Sequence, residues 1–102
     1  MEMKDALDAL ASLSQELRLK VFRLLVTASP GGLPAGTIAA ELGIPANTLS
    51  FHLNHLRHAG LVTVQRQGRM QIYAARCEQV EMLKDFLTAN CCTRAACGQT
   101  GT

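Results

Sequence analysis

Three thiols crowd one short stretch near the end of the chain. Residues 90–98 read NCCTRAACG, placing Cys91, Cys92 and Cys97 within seven positions, and the one other cysteine is Cys77. Such a cluster is a redox switch, a ligand set for a soft cation, or an accident of composition. Neighbouring Cα atoms across a trans peptide lie about 3.8 Å apart, below the usual disulfide span of roughly 4.4–6.8 Å, so Cys91 and Cys92 are poor partners for each other. Either could still bond to Cys97. At the end of a helix the dipole opposes a thiolate, and only Arg94 is near enough to favour one, which argues modestly against a nucleophile. Ligation by a soft cation overcomes that handicap. Structural zinc asks for four ligands, and Cys77, 14 residues before Cys91, is on the order of 20 Å away if the intervening segment is helical. Trivalent arsenic forms three bonds and keeps a lone pair, so Cys91, Cys92 and Cys97 match its stoichiometry without a fourth donor. Cys77 reads more simply as a small, half-buried residue where a strand meets the last helix.

The elements that carry these residues follow from periodicity. Residues 4–13, KDALDALASL, space Leu7, Leu10, Ala11 and Leu13 as a short helix with Asp in its first turns. SQELRLKVFRLLVTA, from Ser14, has a stripe of Leu17, Val21, Phe22, Leu24 and Leu25 and ends near Ala28; Ser14 and Leu17 only loosely resemble a capping box, because Glu falls one position early. SPGGLP at 29–34 makes a loop, and AGTIAAELG stops at Gly43, a residue suited to the left-handed cap. A further helix begins by about Ala46 and closes at Gly60, and two helices joined by about three residues containing Gly make a helix-turn-helix. LVTVQRQGRMQIYAA then changes to period two around a Gly, predicting a two-stranded hairpin, and CEQVEMLKDFLTAN predicts a last helix leading into the cysteines. The expected fold is mostly α with a small β-hairpin, in the order α-α-α-α-β-β-α, a winged helix-turn-helix. One domain of 102 residues is expected, with a cysteine-bearing tail from about residue 88.

Net charge is only +2, but no Asp or Glu occurs between Glu41 and Glu78, a stretch that holds Arg57, Arg66, Arg69 and Arg76 with His52, His55 and His58. A one-signed field over a third of the chain suggests a polyanionic partner. The N-terminal MEMKDALDAL lacks the charged start and apolar run of a signal peptide, and nothing approaches the roughly 20 apolar residues of a membrane span. A cytoplasmic protein with reduced thiols and no membrane partner is expected. An apolar content of 48% in so short a chain predicts a homodimer.

If Leu49, Leu53 and Leu56 face the core, a 100° step per residue turns Asn47, Phe51, Asn54 and His58 outward, with Thr48 and Ser50 on the flanks. Asn47 could pair with adenine, Thr48 and Ser50 could contact bases or phosphate, and Phe51 could cover a thymine methyl. The alternative is that Asn47 and Thr48 merely solvate the first turn. Arg57 adds positive charge on the same helix. His52 lies nearer the core side, so a structural hydrogen bond competes with groove contact. His52, His55 and His58, three apart, drift around the helix and make a poor metal site. Arg66 and Arg69 flank Gly68 at the hairpin tip, where guanidinium groups neutralise phosphates unless the turn is simply solvated.

With SQELRLKVFRLL at 14–25, IAAELGIPANTLSFHLNHLRHAGLV at 38–62 and QRQGRMQIY at 65–73, the chain closely resembles the ArsR/SmtB family of bacterial metal- and metalloid-responsive repressors over about residues 5–97. The most specific part is Ser50-x-His52-Leu53-x-x-Leu56 leading into Ala59-Gly60-Leu61-Val62. This resemblance implies a homodimer paired through its first and last helices, with the 46–58 helix in the major groove of double-stranded DNA. Two copies would read palindromic half-sites one helical turn, roughly 34 Å, apart.

One arsenic-sensing variety of the family carries cysteines in an ELCVCDL-like run, where this chain has ELGIPAN. The zinc-sensing variety uses Asp and His on its last helices, and EQVEMLKDFL has no His. TANCCTRAAC at 88–97 is instead similar to the tail of an arsenic-responsive branch. The resemblance therefore implies a repressor released from its operator by As(III) or Sb(III) at Cys91, Cys92 and Cys97, with no catalytic cofactor. A sensor of cadmium, lead, zinc or thiol oxidation is the alternative within the architecture, and a thiol-rich metal-binding protein without a DNA function the alternative outside it. No acid-base pair, phosphate loop or triad points to an enzyme.

Overall fold

A computed structural model describes residues 1–90; the tail that carries Cys91, Cys92 and Cys97 lies outside the described residues. The chain begins with α1 (Met3–Leu13) and α2 (Glu16–Thr27). A capping box opens α1, in which Glu2 and Asp5 exchange side-chain and backbone contacts across the first turn. The caps between the two helices differ from expectation. Gln15, not Ser14, caps α2 by accepting from the Arg18 N–H at 2.8 Å, while the Ser14 hydroxyl donates back to the Ala11 carbonyl and closes α1. Gln15 has the reach and the extended backbone that the cap position needs.

The helix-turn-helix follows as α3 (Ala35–Leu42) and α4 (Ala46–His58), separated by Gly43, which takes the left-handed conformation at φ 65°. Strands β2 (Val62–Gln67) and β3 (Met70–Ala75) form the expected hairpin, with Arg66 opposite Gln71 and Gln67 opposite Met70 at its tip. The sheet has a third member that the sequence did not disclose. β1 (Leu33–Pro34), the end of the expected loop, pairs antiparallel with β3, Leu33 against Tyr73 and Pro34 against Ile72, giving the order β1-β3-β2. Gly32 makes this pairing possible: its φ is +84°, and a Cβ there would strike the Tyr73 carbonyl. The last helix, α5 (Cys77–Leu87), ends three residues before the Asn90 limit expected for it, as the Thr88 hydroxyl donates to the Lys84 carbonyl and Asn90 turns to φ 64°.

One apolar cluster unites these elements. Val21, Phe22 and Leu25 of α2 meet Ile38 of α3, Leu49, Leu53 and Leu56 of α4, and Leu61 with Val62 at the root of the wing. Leu83 reaches it from α5, and α1 contributes Ala6 and Ala9 beside the fully buried Ser12, with Leu13 packed against the cluster's edge. Small residues let the α1 backbone approach closely while its opposite face keeps Met3, Leu7 and Leu10 in solvent, four and three residues apart and so on one side of the helix. No helix among the described residues is long and apolar enough to cross a membrane.

Candidate nucleic-acid interface

The positions of the polar side chains of α4 follow from its start. Pro45, preset near φ −64°, takes the N-cap position, and the Asn47 side-chain oxygen accepts from the Thr48 N–H at 2.9 Å, fixing that side chain over the first turn. Leu49, Leu53 and Leu56 are buried as their spacing requires. That places Asn47, Ser50, Phe51, Asn54, Arg57 and His58 in solvent and leaves Thr48 half-buried. Phe51 is 63% exposed, its ring edge-on to that of His52 at 5.3 Å. An aromatic ring open to water on an otherwise polar helix face costs solvation, and it is suited to an apolar edge such as a thymine methyl.

The wing brings the second group. Arg66 and Arg69 are both exposed, and the Arg66 Nε donates to the Gly68 carbonyl at 3.3 Å across the turn. Between this tip and the start of α3 lies an open cleft of ≈ 620 Å³, bordered by Gly36, Thr37, Arg66, Arg69 and Gln71. Ion pairs among the described residues involve Lys4, Lys20 and Lys84, all outside the acid-free segment, so its arginines keep their charge unneutralised by carboxylates. Two unpaired guanidinium groups beside a groove-sized helix face suit a phosphodiester backbone.

His52 does not join the exposed group. It is 6% exposed, and its Nδ1 accepts from Arg18 Nη1 at 3.3 Å, so the competing structural reading describes it and its place among groove-facing residues is corrected. Local periodicity put it at the boundary, and a partner 34 residues away decided its side. Arg18 is the residue that sequence reasoning missed; inside SQELRLKVF it reads as a solvated flank of α2. Burial of the imidazole beside that guanidinium, with a smaller contribution from His55, holds its pKa below the ordinary 6.5. Cys77 departs from expectation too. It is exposed as the first residue of α5, with its Sγ 3.7 Å from the Ser29 hydroxyl.

Comparison with known proteins decides the class. The family profile described as a helix-turn-helix domain matches residues 13–65, from the end of α1 into β2. The chain belongs to that family. This helix-turn-helix protein is thus a DNA-binding transcription regulator and not an enzyme. Among solved structures it is similar to an ArsR-like transcriptional regulator from Rhodococcus sp. RHA1, with a TM-score of 0.74, 25% identity, and coverage of 82% of this chain and 76% of the other. A possible transcriptional regulator for arsenical resistance matches with a TM-score of 0.68 and 26% identity over 78% of this chain and 80% of its own. HlyU from Vibrio cholerae N16961 gives 0.68 and 26% over 86% and 95%. No curated protein matches the chain by sequence. The winged helix-turn-helix of this regulator is that of ArsR-like proteins.

Loss of the wing arginines has a predictable signature. Arg66→Ala or Arg69→Ala should weaken binding to every DNA sequence alike, and each should reduce the slope of log affinity against log salt by about 1. Fluorescence anisotropy on one specific and one random duplex at several salt concentrations measures this. An unchanged slope would remove the wing from the interface.

Proposed function

We propose that the protein is a cytoplasmic, arsenite- or antimonite-responsive repressor. A homodimer grips a palindromic operator with its two α4 helices and wings, and lets go when As(III) or Sb(III) is taken by Cys91, Cys92 and Cys97. The observation that carries this reading is the thiol trio itself, Cys91-Cys92-x4-Cys97, directly after the last helix of a DNA-binding domain. Three soft donors suit a pyramidal metalloid. Among the described residues no group of His, Cys, Asp and Glu forms a metal site, so the described domain offers no rival. Cys77 begins the 11-residue α5, so roughly 16 Å of helix separates it from the point where the chain leaves α5 toward the trio. Similarity to a possible regulator for arsenical resistance supports the choice of inducer.

Dimerisation is supported by surface chemistry. Met3, Leu7 and Leu10 on α1 and Met82 and Leu87 on α5 are exposed, on two helices that pack beside each other. A second copy would take this surface from water. The cysteine trio begins four residues after α5 in the sequence, and release follows if the liganded dimer prefers the arrangement that fits DNA less well. A typical coupling of about 1–3 kcal/mol gives roughly a 5- to 150-fold loss of affinity.

A gel-shift experiment with DNA from upstream of the protein's own gene tests the proposal. Arsenite and antimonite should release the complex, and cadmium, lead and zinc should not. Release by a divalent metal alone would replace the inducer while leaving the architecture. A complex that persists at saturating arsenite would end this reading.

A further inference from the structure

Ser12 and His52 are the two buried polar side chains of the described residues, and one arginine joins them. Arg18 of α2 donates from Nε to the Ser12 carbonyl at 2.8 Å and from Nη1 to His52 Nδ1 at 3.3 Å. The Ser12 hydroxyl is in turn 3.0 Å from Nδ1 of His55. Four residues thus tie α1 and α2 to α4 through directional bonds, where the rest of the α1 contact is apolar, made by Ala6, Ala9 and Leu13. An arginine only donates, so His52 Nδ1 is the acceptor and the neutral ring carries its proton on Nε2. Protonation would remove that acceptor and set a second cation against Arg18.

We infer that this circuit is a proton-operated latch on the recognition helix: protonated His52 releases Arg18, α4 loses a polar tie that sets its position on α2 while its leucines stay in the core, and sequence-specific DNA binding weakens in acid. The inference rests on the reading of α4 as the helix that contacts DNA. The charged and titratable groups that act on His52 are Arg18 from α2 and His55 from its own helix; α1 supplies the uncharged Ser12, and no group of α3, the strands or α5 among the described residues adds to them. Burial and the guanidinium both disfavour the imidazolium. Neutral His52 therefore contributes its stability fully above pH 6.5, and that contribution is lost as the pH falls toward the lowered folded-state value. The sign is diagnostic. Protonating histidines on a DNA-binding helix adds positive charge and would by itself strengthen binding. A structural latch makes acid weaken it instead.

The test compares wild type with His52→Asn, whose side-chain oxygen stands where Nδ1 stood and does not titrate. Two readouts are followed from about pH 7.5 to about pH 5.5 at constant salt: amide shifts of Thr48, Phe51 and Asn54 in the free protein, and affinity for the upstream duplex. Wild type should lose roughly tenfold in affinity as its α4 amides move, and His52→Asn should show neither that loss of affinity in acid nor that movement, whatever its starting affinity. If His52→Asn folds poorly, Arg18→Gln serves instead: it keeps a neutral donor and removes the cation, so the midpoint of the amide response should move to higher pH. Wild-type amides that move no more than those of His52→Asn, an unshifted midpoint in Arg18→Gln, or affinity that rises in acid would overturn the latch. Moving amides in a protein that binds no upstream DNA at any pH would instead sink the DNA-contact reading of α4.

Discussion

Changing Cys91, Cys92 or Cys97 singly to Ser should leave operator affinity where it was and abolish release by arsenite. A serine hydroxyl is a hard donor that stays protonated near neutrality, so each variant offers two thiolates to an ion that makes three bonds. None of the three cysteines belongs to α4 or the wing, and the apo-protein should hold DNA as before. Only the linkage changes: an effect expected at roughly 5- to 150-fold should fall to none. Anisotropy on the upstream duplex, titrated with arsenite, gives both numbers in one experiment. Full release in Cys97→Ser would reduce the site to a Cys91–Cys92 dithiol and favour a methylated arsenical as inducer.

The second large effect concerns subunit pairing. Leu7→Glu combined with Leu10→Glu should give a monomer whose affinity for the two-half-site operator drops by about 10²- to 10⁴-fold, because linked half-sites gain that factor from effective concentration alone. Both side chains are exposed, 57% and 41%, on the α1 face opposite Ala6, Ala9 and Ser12, so the charges meet water and not the core. Melting of the isolated subunit should change little by comparison. Sedimentation of the free protein and anisotropy on whole and half operators separate the two expectations. A double variant that remains a dimer would relocate the interface away from α1.

What the sequence disclosed was whatever leaves a local signal. Leu49, Leu53 and Leu56 repeat at helical spacing because one helix buries them, Gly43 marks a left-handed stop, and the alternation around Gly68 marks the wing. Elements settled by distant partners stayed hidden. β1 is two residues long, too short for a period, and exists because Gly32 lets Leu33 reach Tyr73. His52 could not be assigned to core or groove without Arg18, and Cys77 was expected half-buried because its neighbours across the fold were unknown. On the exposed face of α4, the outward positions of Asn47, Phe51, Asn54 and His58 were legible from three leucines.

Pro34 is both the last residue of β1, paired with Ile72, and the N-cap of α3. That single residue rivets the stem of the wing to the first helix of the reading head, so hinge motion between them is suppressed. Under the proposed function such a stiff reader leaves conformational adaptation to the duplex, whose smooth bending over a site costs on the order of 1–6 kcal/mol and varies with base step. Operators would then be chosen partly by how readily their untouched central steps, pyrimidine–purine ones above all, yield to curvature.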